Sequence, residues 1–198
     1  MGCSNLKSIE NILNKVGVRS KISSNAELIS KADKLILPGV GSFDFGINQI
    51  QKLGLFDPIM NSASERKIPL LGICLGAQIL TRSSQEGKMK GLGLVDYETI
   101  AFEKFKLGKN FKFPHMGWED LIIRKNSELF LNLNQSPRFY FLHSYHFMCV
   151  GKDQTTAMAH YGYEFAAAFQ NENIYGVQFH PEKSGNFGMK LMNNFANI

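Results

Sequence analysis

Hydrophobic positions in the opening segment, NLKSIENILNKVG, recur at helical spacing: Leu6, Ile9, Ile12, Leu13 and Val16 fall on one stripe. Asn5 suits the cap before it and Gly17 the stop after it, so a helix is expected here. In KADKLILPGVGSF the apolar run at 35–37 predicts a short strand that ends in a Pro-Gly-Val-Gly turn, with a helix following over about 43–53. KIPLLGIC is a continuous apolar run bounded by Pro69, the pattern of a strand buried on both faces. LGAQILTRSS predicts the helix after it. From about 91 to 150 the spacing shortens, and GLGLVDYETI, NFKFPHMGW and RFYFLHSYHFMCV read as strands parted by polar turns. AAAFQ and NIYGVQFHPE add further strands, and an amphipathic helix covers about 186–196. Strand–helix alternation early and closely spaced strands later predict an α/β fold: a mixed, mainly parallel central sheet with helices on both faces.

Composition narrows this only a little. The 198 residues are 44% hydrophobic and 20% charged, with no repeat, low-complexity tract or linker, so one domain over 1–198 is expected. No stretch approaches the roughly 18 to 20 continuous apolar residues of a membrane span. The start, MGCSNLKSIE, lacks the apolar centre of a signal peptide, and a cytoplasmic protein with no membrane partner is expected. Cys3, Cys74 and Cys149 are too few and too scattered for a disulfide framework or a C-x-x-C metal site; no metal and no cofactor are expected. The net charge is +5. Lys104, Lys106, Lys109 and Lys112 interleave with Phe102, Phe105, Phe111 and Phe113. Without a recognised RNA or DNA motif this reads as a solvated strand pair with Phe in and Lys out, and no nucleic-acid partner is expected.

The candidate chemistry lies in LLGICLGAQI. Gly72 and Gly76 flank Cys74 as G-x-C-x-G, between a strand and a helix. A nucleophile on such a turn projects from the sheet edge, and flanking glycines relieve crowding around a strained backbone. The amide of the next residue, Leu75, then points to where an oxyanion would form. Cysteine in that slot suggests acyl transfer from an amide or thioester. Of five histidines, His180 has the context for a partner: it ends the apolar strand GVQFHPE, with Glu182 two residues on to orient its imidazole.

GICLGAQ together with GVQFHPE resembles the signature of class I, triad-type glutamine amidotransferases. The resemblance implies that Cys74 attacks the carboxamide of glutamine, that His180 shuttles the proton, and that Glu182 orients His180. LPGVGSF is similar to the family's oxyanion turn, which implies that the amide of Val40 or Gly41 joins that of Leu75. PHMGW, YFLHSY and HPEKSG resemble, more narrowly, the glutaminase subunits of imidazole glycerol phosphate synthases, over nearly the whole chain. That likeness implies that Gln78, Glu86 and backbone groups of Ser144 and Tyr145 bind L-glutamine. It also implies that Trp118, Tyr140 and Lys183 dock a (β/α)8-barrel synthase subunit in a heterodimer, which receives the ammonia for histidine biosynthesis.

Each assignment has a plainer counterpart. Gln78 and Glu86 can be surface polars of a helix, Trp118 and Tyr140 core aromatics, and His143 a satisfied core histidine, which is kept out of the catalytic set. Two departures from the family stand out. Glu119 occupies a position where the family usually has Asn, and the chain starts at MGCSNL, the turn that the family's first strand normally runs into. A late recorded start or a truncation is therefore expected, with that strand missing from the sheet. Three other readings are a paralogue that supplies ammonia for amidination of a surface-polysaccharide sugar, a non-catalytic binder, and a stand-alone cysteine peptidase or esterase. The complete Cys74, His180, Glu182 set weighs against the binder, and the glutamine-type neighbours weigh against the peptidase.

Overall fold

The computed structural model describes residues 3–103, 111–133 and 136–198. In chain order the first half holds α1 (Cys3–Lys15), α2 (Ala26–Ser30), β1 (Leu35–Gly39), α3 (Phe43–Lys52), α4 (Phe56–Met60) with a π-helical turn after it, β2 (Leu70–Cys74) and α5 (Leu75–Leu80). The second half holds β3 (Tyr97–Ala101), β4 (His115–Asp120), β5 (Ile122–Ile123), β6 (Arg138–His143), β7 (Tyr145–Cys149), β8 (Thr155–Tyr161), β9 (Tyr163–Asn171), β10 (Ile174–Val177) and α6 (Gly185–Ala196). Among the described residues no helix is long and apolar enough to cross a membrane.

The main sheet has the order β1-β2-β10-β9-β7-β3, with β8 also on β9 and β5 on β8; β4 and β6 form a separate antiparallel pair. The sheet is mixed, as expected, but not mainly parallel: among the described strands parallel pairing is confined to β1-β2-β10, and the other strand pairs are antiparallel. The division follows the spacing of the chain. β1 and β2 are separated by helices long enough for a crossover, whereas β8, β9 and β10 are joined by short turns that favour hairpins.

Why β2 is apolar throughout is clear from its neighbours. All five of its residues are buried. Leu71 and Ile73 point into a core with Ile9, Ile12 and Leu13 of α1 and Leu191, Met192 and Phe195 of α6. Leu70 points the other way, among Phe43, Ile47 and Ile50 of α3 and Ile79 and Leu80 of α5. Alternate side chains thus serve cores on both faces, each large one worth about 1.5–3 kcal/mol on burial.

Several boundaries differ from the sequence pattern. Asn5 lies inside α1, which starts at Cys3, while Gly17 at φ +80° does end that segment. The helix after Cys74 stops at Leu80, because Thr81 turns extended and Ser83 and Ser84 bridge to Lys90 and Thr99. Residues 111–113 are not in a strand, so the proposed Phe/Lys strand pair is not formed there; its Lys104, Lys106, Phe105 and Lys109 lie outside the described residues. Phe102 is nonetheless buried, against three histidines and Phe165.

Candidate active site

Register brings the site together. Gly39 pairs with Cys74 across β1 and β2, and Ile73 pairs with Val177 across β2 and β10. The carboxyl ends of three parallel strands therefore deliver residues 40–41, 74–75 and 178–180 to one edge, where open α/β sheets place their ligands.

Cys74, the last residue of β2, sits at φ 53°, ψ −114° immediately before α5. Such a conformation for a side chain with a Cβ costs about 1–3 kcal/mol and persists only when its surroundings impose it. The flanking glycines are part of that imposition. A Cβ on Gly76 would stand 1.7 Å from the Leu37 carbonyl oxygen, and one on Gly72 would stand 2.6 Å from Ala77 Cα. Only with hydrogen at both positions can α5 turn back over β1 and β2 this tightly.

His180 follows β10 and opens a single 3₁₀ turn, Pro181–Lys183. The turn is fastened to β6: His180 N donates to the Tyr140 carbonyl at 2.8 Å, and Tyr140 N donates to Ser184 Oγ at 3.0 Å. His180 Nδ1 lies 2.8 Å from Glu182 Oε1, with both side chains almost fully buried. Burial pulls the imidazole pKa down, but hydrogen bonds with Cys74 and Glu182, together with their charges, outweigh it and raise the value to about 10. At neutral pH the ring therefore holds both protons, one toward the carboxylate and one available at the sulfur. A buried sulfur, an imidazolium and an orienting carboxylate in this order can form and break an acyl–sulfur bond.

A fourth polar residue, not singled out from the sequence, touches Cys74. Gln78 Nε2 donates to Gln178 Oε1 at 3.1 Å and to the Tyr145 carbonyl at 3.2 Å. That fixes the Gln178 amide so that its Nε2 faces Cys74 Sγ, at 3.7 Å. A signal is present in GVQFH: read as one extended run with a period of two, it puts Gln178 on the same face as His180, although both lie just beyond the end of β10.

The triad opens on a cleft of about 320 Å³. Val40, Gly41, Cys74, Leu75, Gln78, Glu86, Ser144, Tyr145, His180 and Lys183 all line it, as do Pro114, Leu142 and His143, which the sequence pattern did not place there. Neither Gln78 nor Glu86 is a helix-surface polar. Gln78 is buried on α5, and Glu86 lies in a turn, where its Oε2 accepts from Phe43 N at the start of α3 at 2.8 Å. Asp44 anchors the same turn by accepting from Lys88 N and Met89 N. Trp118 and Tyr140 are cross-strand partners on β4 and β6, edge to face at 6.0 Å, with Lys183 Nζ 5.5 Å from the Tyr140 ring centre. Trp118 is 43% exposed and its neighbour Met116 65%, so this is a surface cluster beside the cleft and not a core one. Cys149 is exposed and lies outside the cleft. Among the described residues no cluster of three or more His, Cys, Asp or Glu could hold a metal ion.

Known proteins of similar shape and sequence fit this geometry. Solved structures with similar folds include one described as a glutamine amidotransferase, with a TM-score of 0.76, 18% identity, and coverage of 98% of this chain and 95% of that one. PurLQS from Thermotoga maritima superposes with a TM-score of 0.69 at 21% identity, over 96% of this chain and 91% of that one. Sequence relatives are closer. The imidazole glycerol phosphate synthase subunit HisH 2 of Methanococcus maripaludis is 50% identical over 98% of this chain and 95% of its own length. The subunit of the same name from Pseudomonas aeruginosa is 40% identical over 100% and 96%. Residues 1–198 also match the family described as "Glutamine amidotransferase class-I". With a cysteine on a strained strand–helix turn, a buried His–Glu pair behind it and that match along its whole length, the chain belongs to the class-I glutamine amidotransferases.

Proposed function

We propose that this chain, as one domain over 1–198, is the glutaminase subunit of an imidazole glycerol phosphate synthase. It hydrolyses L-glutamine to glutamate and ammonia. The contact between Cys74 and His180, itself held by Glu182 at 2.8 Å, carries the reading. In the first half-reaction the Cys74 sulfur adds to the side-chain carboxamide carbon. The oxygen that becomes negative is met by the amide of Leu75 and that of Val40 or Gly41. His180 gives its proton to the nitrogen as the C–N bond breaks, releasing ammonia and leaving a glutamyl thioester on Cys74. In the second half-reaction His180 takes a proton from water, which adds to the thioester carbon. Loss of the sulfur yields glutamate and leaves Cys74 and His180 in their starting protonation. Gln78, Glu86 and the backbone of Ser144 and Tyr145 hold the amino acid in the cleft. Those steps run through side-chain and backbone groups of this chain alone.

Trp118, Tyr140 and Lys183 form the docking face for a (β/α)8-barrel synthase subunit, and ammonia crosses there into the barrel. An exposed Trp beside Tyr and Lys has the composition of an interface anchor. Lys183 also lines the cleft, so the face adjoins the triad directly.

The test is glutamine hydrolysis with and without the histidine-pathway barrel subunit of the same genome, its ribonucleotide substrate present. Strong stimulation is expected. Absence of stimulation, with Cys74 still labelled by a glutamine-analogue electrophile, overturns the histidine assignment and favours the sugar-amidinating paralogue.

A further inference from the structure

Behind the cleft wall lies a row of polar groups that the hydrolysis does not use. His143 Nδ1 is 2.7 Å from the Tyr145 carbonyl oxygen, the atom that also accepts from Gln78 Nε2. A carbonyl only accepts, so His143 Nδ1 carries the hydrogen. Full burial holds the His143 ring well below the usual histidine pKa, and a neutral ring with Nδ1–H has a bare Nε2. His115 Nδ1 lies 3.0 Å from that bare nitrogen and must therefore donate to it. His115 is fully buried, stacked between Phe141 at 5.1 Å and Tyr161 at 3.9 Å, and burial lowers its pKa to about 4. It too is neutral, so its own Nε2 is a buried lone pair, and it has no hydrogen-bond partner among the described residues. Such a group costs about 1–3 kcal/mol unless a donor reaches it.

The side chain placed to reach it is Glu119, whose Oε1 is 3.5 Å from His115 Nε2. Both residues lie on the inward face of β4. The position between them is Gly117, where a Cβ would meet nothing within 4 Å, so space remains for the carboxyl to lean back toward the ring. An ionised carboxylate cannot donate, whereas a carboxylic acid can. Burial raises the Glu119 pKa; the other charged and titratable groups facing it are Arg138 on β6 and His160 on β8, which oppose the rise, and Asp120, which adds to it.

We propose that Glu119 is a positioning residue for the cleft: in its protonated form it donates to His115 Nε2 and completes a one-way hydrogen-bond chain through His143 to the Tyr145 carbonyl. The inner end fixes a backbone atom in the cleft wall, and the outer end neighbours Trp118 on the proposed docking face. The chain deepens the reading of the cleft as a glutamine site and rests on it.

Two measurements test the chain. In ¹⁵N-histidine NMR of the full-length protein, His115 and His143 are both expected as Nδ1–H tautomers, with His115 Nε2 shifted as a hydrogen-bond acceptor. Glu119→Gln, whose amide donates at every pH, keeps that shift, and Glu119→Ala loses it. An Nε2–H tautomer at His115, or an Nε2 resonance indifferent to Glu119→Ala, overturns the proposal. In the complex with the barrel subunit, the KM for L-glutamine is expected to rise about five-fold, the worth of one network hydrogen bond, as Glu119 ionises with increasing pH. Glu119→Gln flattens that rise, Glu119→Ala has the higher KM throughout, and kcat moves less than KM. The same KM–pH profile in the wild type and Glu119→Gln also overturns it. A complex without any glutaminase activity sinks the glutamine reading instead, while the NMR result still judges the chain.

Discussion

A side chain with a Cβ held at φ 53° stores conformational free energy that glycine would not. Cys74→Gly is therefore expected to abolish glutamine hydrolysis while raising the unfolding free energy by about 1 kcal/mol, the strain released less the small burial lost. Denaturant unfolding of the two proteins checks this, and a clear loss of stability would mean the turn is not strained. Gln178 acts at the same scale. Its Nε2 is an amide donor directed at Cys74 Sγ, so Gln178→Leu should cut kcat by about 10- to 100-fold, with a smaller change in KM, since the bond strengthens as the sulfur gains charge. The pH dependence of stability follows from His180. Its folded pKa, about 10, is above the ordinary value of 6.5, so its proton stabilises the native state fully below about 6.5 and that contribution fades as pH rises toward 10. The stability gap between wild type and His180→Gln, measured by urea unfolding, should be widest near pH 6 and close toward pH 10.

Elements divide sharply into those the sequence made legible and those it did not. β2 was readable because a strand buried on both faces needs an unbroken apolar run, and Pro69 marks its start. α3 and α6 were readable from their apolar stripes. α2 and α4, five residues each, are too short to show a helical period, and neighbouring contacts rather than propensity decide them. The Phe/Lys alternation near 111–113 failed for a different reason. Phe111 packs on Tyr161 at 4.8 Å and Phe113 on Phe102 at 5.9 Å, so aromatic packing and not strand pairing sets their spacing. The glycines of the strand–helix turn were readable as a motif, but only the close approach of Leu37 to Gly76 shows what they do. Gly76→Ala forces α5 away from β1, against backbone that has no slack. A loss of about 3 kcal/mol or more, or failure to accumulate soluble protein, is expected; near wild-type melting would show that the two elements can separate freely.

At the scale of the whole molecule, the site is built where the parallel strands end, and the antiparallel half supplies its wall and its surface cluster. β6 is the hinge between these roles. Its Leu142 and His143 line the cleft, its Tyr140 joins Trp118 and Lys183 outside, and its backbone holds the His180 turn. None of this shared backbone was visible in the sequence, where Tyr140 and His180 are 40 residues apart; Cys74, His180 and Glu182 stand out as candidates because their residue types and local contexts are specific. A partner bound on Trp118 and Tyr140 therefore presses on a strand that touches the triad, so the isolated chain should hydrolyse glutamine slowly and the complex quickly. Trp118→Ala should weaken the complex by about 2 kcal/mol or more, roughly 30-fold in Kd, and full stimulation should return at saturating partner. Cys74→Ala separates the two halves of the assembly. It should abolish synthesis driven by glutamine yet leave synthesis driven by added ammonium salts intact, because the proposed barrel partner then receives its nitrogen from solution. Loss of both activities would instead mean that Cys74→Ala no longer docks, a result that sedimentation of the mixed subunits would register as two separate species.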